Sequence, residues 1–124
     1  MPTRQRLGPG PDHPITVTPT GRRVVVRVGG TVVADTRAAL TLQESTYPAV
    51  QYVPLVDVDP AALRGSGTRT WCPYKGEASY RSLVVGGAEL TDAVWTYEEP
   101  SPAVAPIAGH VAFYPDRVDV AVEG

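Results

Sequence analysis

A small, mainly antiparallel β fold is what this sequence predicts, and three observations predict it. Nineteen of the 124 residues are valine, against two isoleucines and seven leucines. Such β-branched side chains pack well on pleated surfaces and lose rotamer freedom in helices. Twelve glycines and thirteen prolines make about 20% of the chain, against roughly 12% in an average composition. Glycine pairs also fall between β-rich runs, as hairpin turns require. About seven to nine strands and no helix longer than about three turns follow from signals recurring at such short spacing.

Residues 1–13 are rich in Gly, Pro and charge without periodicity and read as a mobile tail, so residues 14–124 are expected to form one β-rich domain. Val24 to Val28, Gly29-Gly30 and Thr31 to Asp35 form two strands around a two-residue turn. Ala38 to Glu44 fits a short helix or a strand, with the alternation of Leu40 and Leu42 favouring the strand. Tyr52-Val53-Pro54 reads as an edge strand, because proline cannot donate to a ladder. Asp59 can cap a helical turn that opens on Pro60. Gly65-Ser66-Gly67 reads as a loop, Thr68 to Trp71 and Ala78 to Val85 as strands flanking Cys72-Pro73-Tyr74-Lys75-Gly76, and Gly86-Gly87 as a turn. Ala93 to Tyr97 is a further strand, and Pro102 to Ala108 a helical turn that Pro106 keeps short. His110 to Tyr114 and Arg117 to Val122 read as a closing hairpin around Pro115-Asp116.

Several function classes are excluded by composition. A formal charge of -2 and no basic run beyond Arg22-Arg23 argue against nucleic-acid binding. No apolar run reaches membrane-spanning length, and Met1 to Pro14 lacks the apolar stretch of a secretion signal, so a cytoplasmic protein without membrane partners is expected. Cys72 is the only cysteine, which excludes an intrachain disulfide and a four-cysteine zinc site; neither metal nor cofactor is expected. Oligomerisation is left open.

The stretch from Val24 to Val122, about four-fifths of the chain, resembles the bacterial and fungal domain-of-unknown-function family 427, sometimes labelled nucleotidyltransferase-like. The motifs that carry the resemblance are Gly30 to Thr36, Tyr52-Val53-Pro54 with Asp57-Val58, Cys72 to Tyr80, Val94 to Pro100, and Ile107 to Tyr114. It implies a β-tent-like or pseudo-barrel fold, similar to methionine sulfoxide reductase B and the thalidomide-binding domain of cereblon. Those relatives commonly carry a four-cysteine zinc site, which a chain with one cysteine cannot reproduce.

Asp57-Val58-Asp59 could hold Mg²⁺, but Gly65-Ser66 follows the pair instead of preceding it, and Asp59 stands where a helix cap belongs. Cys72 reads either as an inert buried thiol or as a nucleophile activated by Lys75 or His110. The only lysine, Lys75, lies three residues after that cysteine, and Trp71, Tyr74, Tyr80, Trp95 and Tyr97 crowd the same two motifs. The plain reading is an aromatic core. The functional one is a small-molecule pocket, formed by Cys72, Lys75, Tyr80, Trp95, Tyr97 and Glu98, with Lys75 paired to Glu77 or Glu98. The aromatic cage of cereblon favours the pocket by resemblance. The alternatives are an enzyme of unknown reaction using Lys75, Glu98, Tyr97 and Cys72, and an interaction module that pairs through the strand at Tyr52.

Overall fold

The computed structural model describes residues 4–124; the first three residues of the expected tail lie outside the described residues. Ten strands follow one another: β1 (Ile15–Pro19), β2 (Arg23–Val28), β3 (Thr31–Thr36), β4 (Leu40–Glu44), β5 (Val50–Pro54), β6 (Leu63–Cys72), β7 (Gly76–Val85), β8 (Ala88–Thr96), β9 (His110–Phe113) and β10 (Asp119–Glu123). They form a seven-stranded sheet in the order β1-β4-β5-β9-β8-β7-β6 and a three-stranded sheet in the order β10-β2-β3. Every strand pairing is antiparallel. Neither sheet closes into a barrel. Helical structure among the described residues consists of short 3-10 turns at Leu55–Asp57, Pro60–Ala62 and Pro102–Ile107, and no helix is long and apolar enough to cross a membrane. The mainly β expectation therefore holds, with ten strands where seven to nine were expected.

Local signals were faithful where backbone chemistry dictates the turn. Gly29 and Gly30 both take positive φ, 55° and 86°, and Val28 pairs with Thr31 across them, as a primed two-residue turn demands. Asp59 accepts a hydrogen bond from the Ala61 N–H at 3.0 Å and caps the turn that opens on Pro60.

Three readings are corrected. β9 and β10 are not a hairpin: β9 pairs with β5 and β8 in the large sheet, whereas β10 pairs with β2 in the small one. The Val118, Val120, Val122 alternation is served by β2 as a partner just as well as by β9. β5 is interior rather than an edge, lying between β4 and β9. Pro54 is tolerated because it ends the strand and the Leu55 N–H takes up the connection, donating to Gly109 O at 3.0 Å. Gly65-Ser66-Gly67 is not a loop but part of β6, where the register with β7 shifts between Gly65 and Arg69. Glycine inside a strand often marks such a bulge. Ser66 and Thr68 hydroxyls tie it to the Asp92 carboxylate at 2.6 and 2.7 Å.

The pleat sends successive side chains of the central strands to opposite faces, and each face has its own core. Val53, Val94, Val111 and Phe113 pack with Leu83 and with Val24, Val26 and Val33 of the small sheet, all 4% exposed or less. Fully burying such a side chain stabilises by about 1.5–3 kcal/mol. Their neighbours Tyr52 and Ala112 turn the other way and join Leu42, Tyr97, Val104 and Ile107 in a second cluster, against which Trp95 and Tyr80 pack. The candidate site stands on this second cluster.

Of the residues read from composition as a tail, Arg4 to Leu7 lie against the β6–β7 hairpin. The Leu7 N–H donates to Pro73 O at 2.9 Å, Gln5 O accepts from the Trp71 indole at 2.9 Å, and Arg4 pairs with Glu77 at 2.8 Å.

Candidate functional site

Lys75 owes its position to the turn between β6 and β7. Its N–H donates to Cys72 O at 3.3 Å, and its carbonyl accepts from the Ser101 N–H at 2.9 Å, so the residue is held from both sides. The next residue must be glycine: Gly76 has φ 112°, and a Cβ there would lie 3.3 Å from Glu99 O. Gly76→Ala is expected to destabilise the protein by about 1–3 kcal/mol, the cost of a strained backbone, and to loosen Lys75; urea denaturation checks the first and amide exchange at Ser101 the second.

From this turn the Lys75 ammonium reaches β4 and pairs with Glu44 Oε1. The other carboxylate oxygen, Oε2, meets His13 Nε2 at 2.7 Å. These side chains are only 12% (Lys75), 15% (Glu44) and 23% (His13) exposed. Burial pushes the Glu44 carboxyl up, but hydrogen bonds and charge from Lys75 and His13 outweigh it and leave its pKa below the ordinary value. The His13 ring is stacked on Tyr74, with centroids 3.8 Å apart and planes 13° apart, and meets Tyr47 edge-on at 6.5 Å.

Beside this cluster is a cavity of about 190 Å³. Buried Leu42, Tyr52 and Tyr97 line it, with Tyr80, Trp95 and Tyr114; Glu44, Lys75, Tyr47, Pro48 and Val50 complete its wall. The rings brace one another. Trp95 meets Tyr52 edge-to-face at 6.4 Å and donates its indole N–H to the Tyr52 hydroxyl at 3.2 Å, while Tyr114 lies against it at 4.5 Å. Burial pushes the Tyr52 and Tyr97 phenols well above the usual tyrosine range, and burial followed by the neighbouring Tyr80 pushes Tyr114 up to about 12. These phenols therefore keep their protons at neutral pH and can donate.

Of the residues expected from sequence, Lys75, Tyr80, Trp95 and Tyr97 line this one cavity. Glu98 does not: it accepts from the Ser79 hydroxyl at 2.8 Å and lies 4.0 Å from Arg81, bordering other hollows. Alternation explains the difference, since Trp95 and Tyr97 share a face and Glu98 takes the other. Cys72 packs half-buried against the second cluster and is absent from the cavity wall. The partner of Lys75 is Glu44, not Glu77 or Glu98; Glu77 is engaged by Arg4. Trp71 faces a separate groove under Arg4 and Arg6, and His110 is tied to Ala108 O at 2.9 Å. Asp57 accepts from the Thr36 hydroxyl at 2.7 Å, so both aspartates of the D-x-D pair have structural partners. Sequence reasoning missed Glu44, Tyr52, Tyr114 and His13 as site residues. Glu44 did carry a signal, as a carboxylate in step with Leu40 and Leu42 on the apolar face of a strand.

Fold and cavity define a mainly β protein of two antiparallel sheets with an aromatic-lined hollow on one face of the larger sheet. The chain belongs to the family described as domain of unknown function DUF427, whose profile matches residues 16–124. No curated protein matches it.

Proposed function

We propose that this protein is a small-molecule-binding β domain whose ligand occupies the hollow between the Lys75 turn and the Trp95 strand. The observation that carries the reading is convergence: the chain's only lysine and rings from β5, β7, β8 and the residues flanking β8 and β9 meet around one cavity. Apolar walls with a few convergent polar groups are what an orienting pocket needs. At about 190 Å³ the cavity is below the roughly 300–1,000 Å³ of drug-sized sites, so it suits a single-ring molecule. An enzyme built on Lys75, Glu98 and Cys72 is less well supported, because two of those three residues lie outside the cavity wall. Pairing with another chain through the strand at Tyr52 is less well supported too, because β5 is flanked on both sides.

A thermal-shift screen of single-ring fragments tests the reading. Hits should stabilise the wild type and Trp71→Ala, and every one should lose its effect on Trp95→Ala, measured against each variant's own baseline. Hits that stabilise Trp95→Ala as strongly as the wild type would place the ligand elsewhere.

A further inference from the structure

We infer that the cavity selects a neutral ring molecule that accepts hydrogen bonds, such as an aryl ketone, and that the Tyr97 hydroxyl is the donor that recognises it. The inference rests on reading the cavity as a ligand site and names the class of its ligand. It starts from an unspent hydrogen bond. Tyr97 is only 6% exposed, and its hydroxyl has no hydrogen-bond partner among the described residues. No side-chain nitrogen or oxygen sealed from solvent among those residues lacks a partner. The Tyr97 oxygen is therefore not sealed: it opens on accessible space, and the hollow that Tyr97 lines is the cavity. Buried phenols usually find a partner for the O–H. Here that partner must come from whatever fills the cavity.

The rest of the wall decides the class of that partner. Charge is already balanced, since the one ammonium, Lys75, pairs with the one carboxylate, Glu44. An ionic ligand would give up its water without meeting an uncompensated opposite charge, which is unfavourable. Acceptors are taken too: Glu44 Oε1 meets Lys75, Oε2 meets His13, and the Tyr52 oxygen accepts the Trp95 indole proton. Donors are left over. The Tyr52 and Tyr97 protons have no acceptor among the described residues, and burial pushes both phenols above the usual tyrosine range, so both are kept. Tyr80, by contrast, shares a hydroxyl hydrogen bond with Thr70 at 2.9 Å. A neutral oxygen acceptor borne on a ring fits this wall, its oxygen on the Tyr97 proton and its ring on the faces of Trp95 and Tyr114.

Acetophenone is titrated against the full chain at neutral pH beside two probes of the same shape, with the Trp95 indole N–H as the signal. In α-methylstyrene a methylene group replaces the ketone oxygen; in benzoate a carboxylate oxygen replaces the methyl group. Acetophenone is expected to bind about fivefold more tightly than α-methylstyrene, the worth of one net hydrogen bond, although the hydrocarbon is the more hydrophobic. Benzoate should bind at least about tenfold more weakly than acetophenone, because its charge is desolvated without a partner. Tyr97→Phe should cut acetophenone affinity to that of α-methylstyrene and leave the hydrocarbon's own affinity in place. The variant's midpoint in chemical denaturation should stay level or rise, since the hydroxyl makes no bond within the protein; a fall would mark the hydroxyl as structural and overturn its role. Equal or tighter binding of α-methylstyrene to the wild type would overturn the acceptor requirement and leave a site for plain apolar rings. Benzoate as tight as acetophenone would overturn the neutral class. A ketone preference that survives in Tyr97→Phe, or loss of both neutral probes there, would overturn the part given to Tyr97. If none of the probes moves the Trp95 signal, the ligand-site reading fails, and this inference with it.

Discussion

Tyr52→Ala is expected to lower stability by about 3–5 kcal/mol, the range for losing a large buried aromatic, and Tyr52→Phe by only about 1 kcal/mol, the net worth of one hydrogen bond. Tyr52 is 1% exposed on the interior strand β5 and holds two things at once. Its ring joins Leu42, Tyr97 and Ile107 in the second core cluster, and its hydroxyl accepts the Trp95 indole proton. The alanine variant removes both and leaves a void beneath the site; the phenylalanine variant removes only the acceptor. Chemical denaturation of the two variants separates packing from hydrogen bonding. Comparable losses in both would mean that the hydroxyl, not the ring, dominates.

Lys75→Met is expected to destabilise by about 2 kcal/mol at neutral pH, in the range for hydrogen bonds to charged groups. The full 3–5 kcal/mol of a broken buried pair is not expected, because His13 still serves the carboxylate. The loss should depend on pH with a definite sign. The Glu44 pKa is lowered in the folded protein, so the stability this group contributes is present above the ordinary carboxylate pKa of about 4.3 and is lost as pH falls through its lowered folded value. The gap between wild type and Lys75→Met should therefore be full at pH 7 and close below about pH 4. Stability curves of the two proteins across that range check it, and a gap that stays constant down to pH 3 would show that Glu44 is not the group Lys75 serves.

The parts of this structure that were legible in the sequence are those where one residue's chemistry settles the backbone. Gly29-Gly30 dictates a turn because both positions require positive φ, and Asp59-Pro60 dictates a cap because the Asp59 side chain accepts from the Ala61 N–H while Pro60 has no N–H to satisfy. Which strands then pair was not legible. Val118, Val120 and Val122 present the same apolar face to any neighbour, and only the assembled core selects β2 over β9. Pro54 misled for a related reason: proline excludes a ladder bond at its own nitrogen, not a neighbour on either side of the strand.

The site divides along the same line. Trp95 and Tyr97 could be placed together because a strand's period of two is local, and the same period, extended one residue, turns Glu98 away from this cavity. The partner of Lys75 could not be read, since Glu44 is 31 residues away on another strand. His13 was further hidden by lying in a segment whose Gly, Pro and charge content reads as a tail, although its ring stacks on Tyr74.

The central claim is that the hollow beside Trp95 takes a ligand, and the two tryptophans make it directly measurable. Their indole N–H groups have different partners, the Tyr52 hydroxyl for Trp95 and the Gln5 carbonyl for Trp71, and so give two separate signals in a proton–nitrogen correlation spectrum, assignable with Trp71→Phe. Titration with a fragment that stabilises the wild type is predicted to move the Trp95 signal saturably and leave that of Trp71 in place. Movement of the Trp71 signal alone, or of neither, would contradict the account.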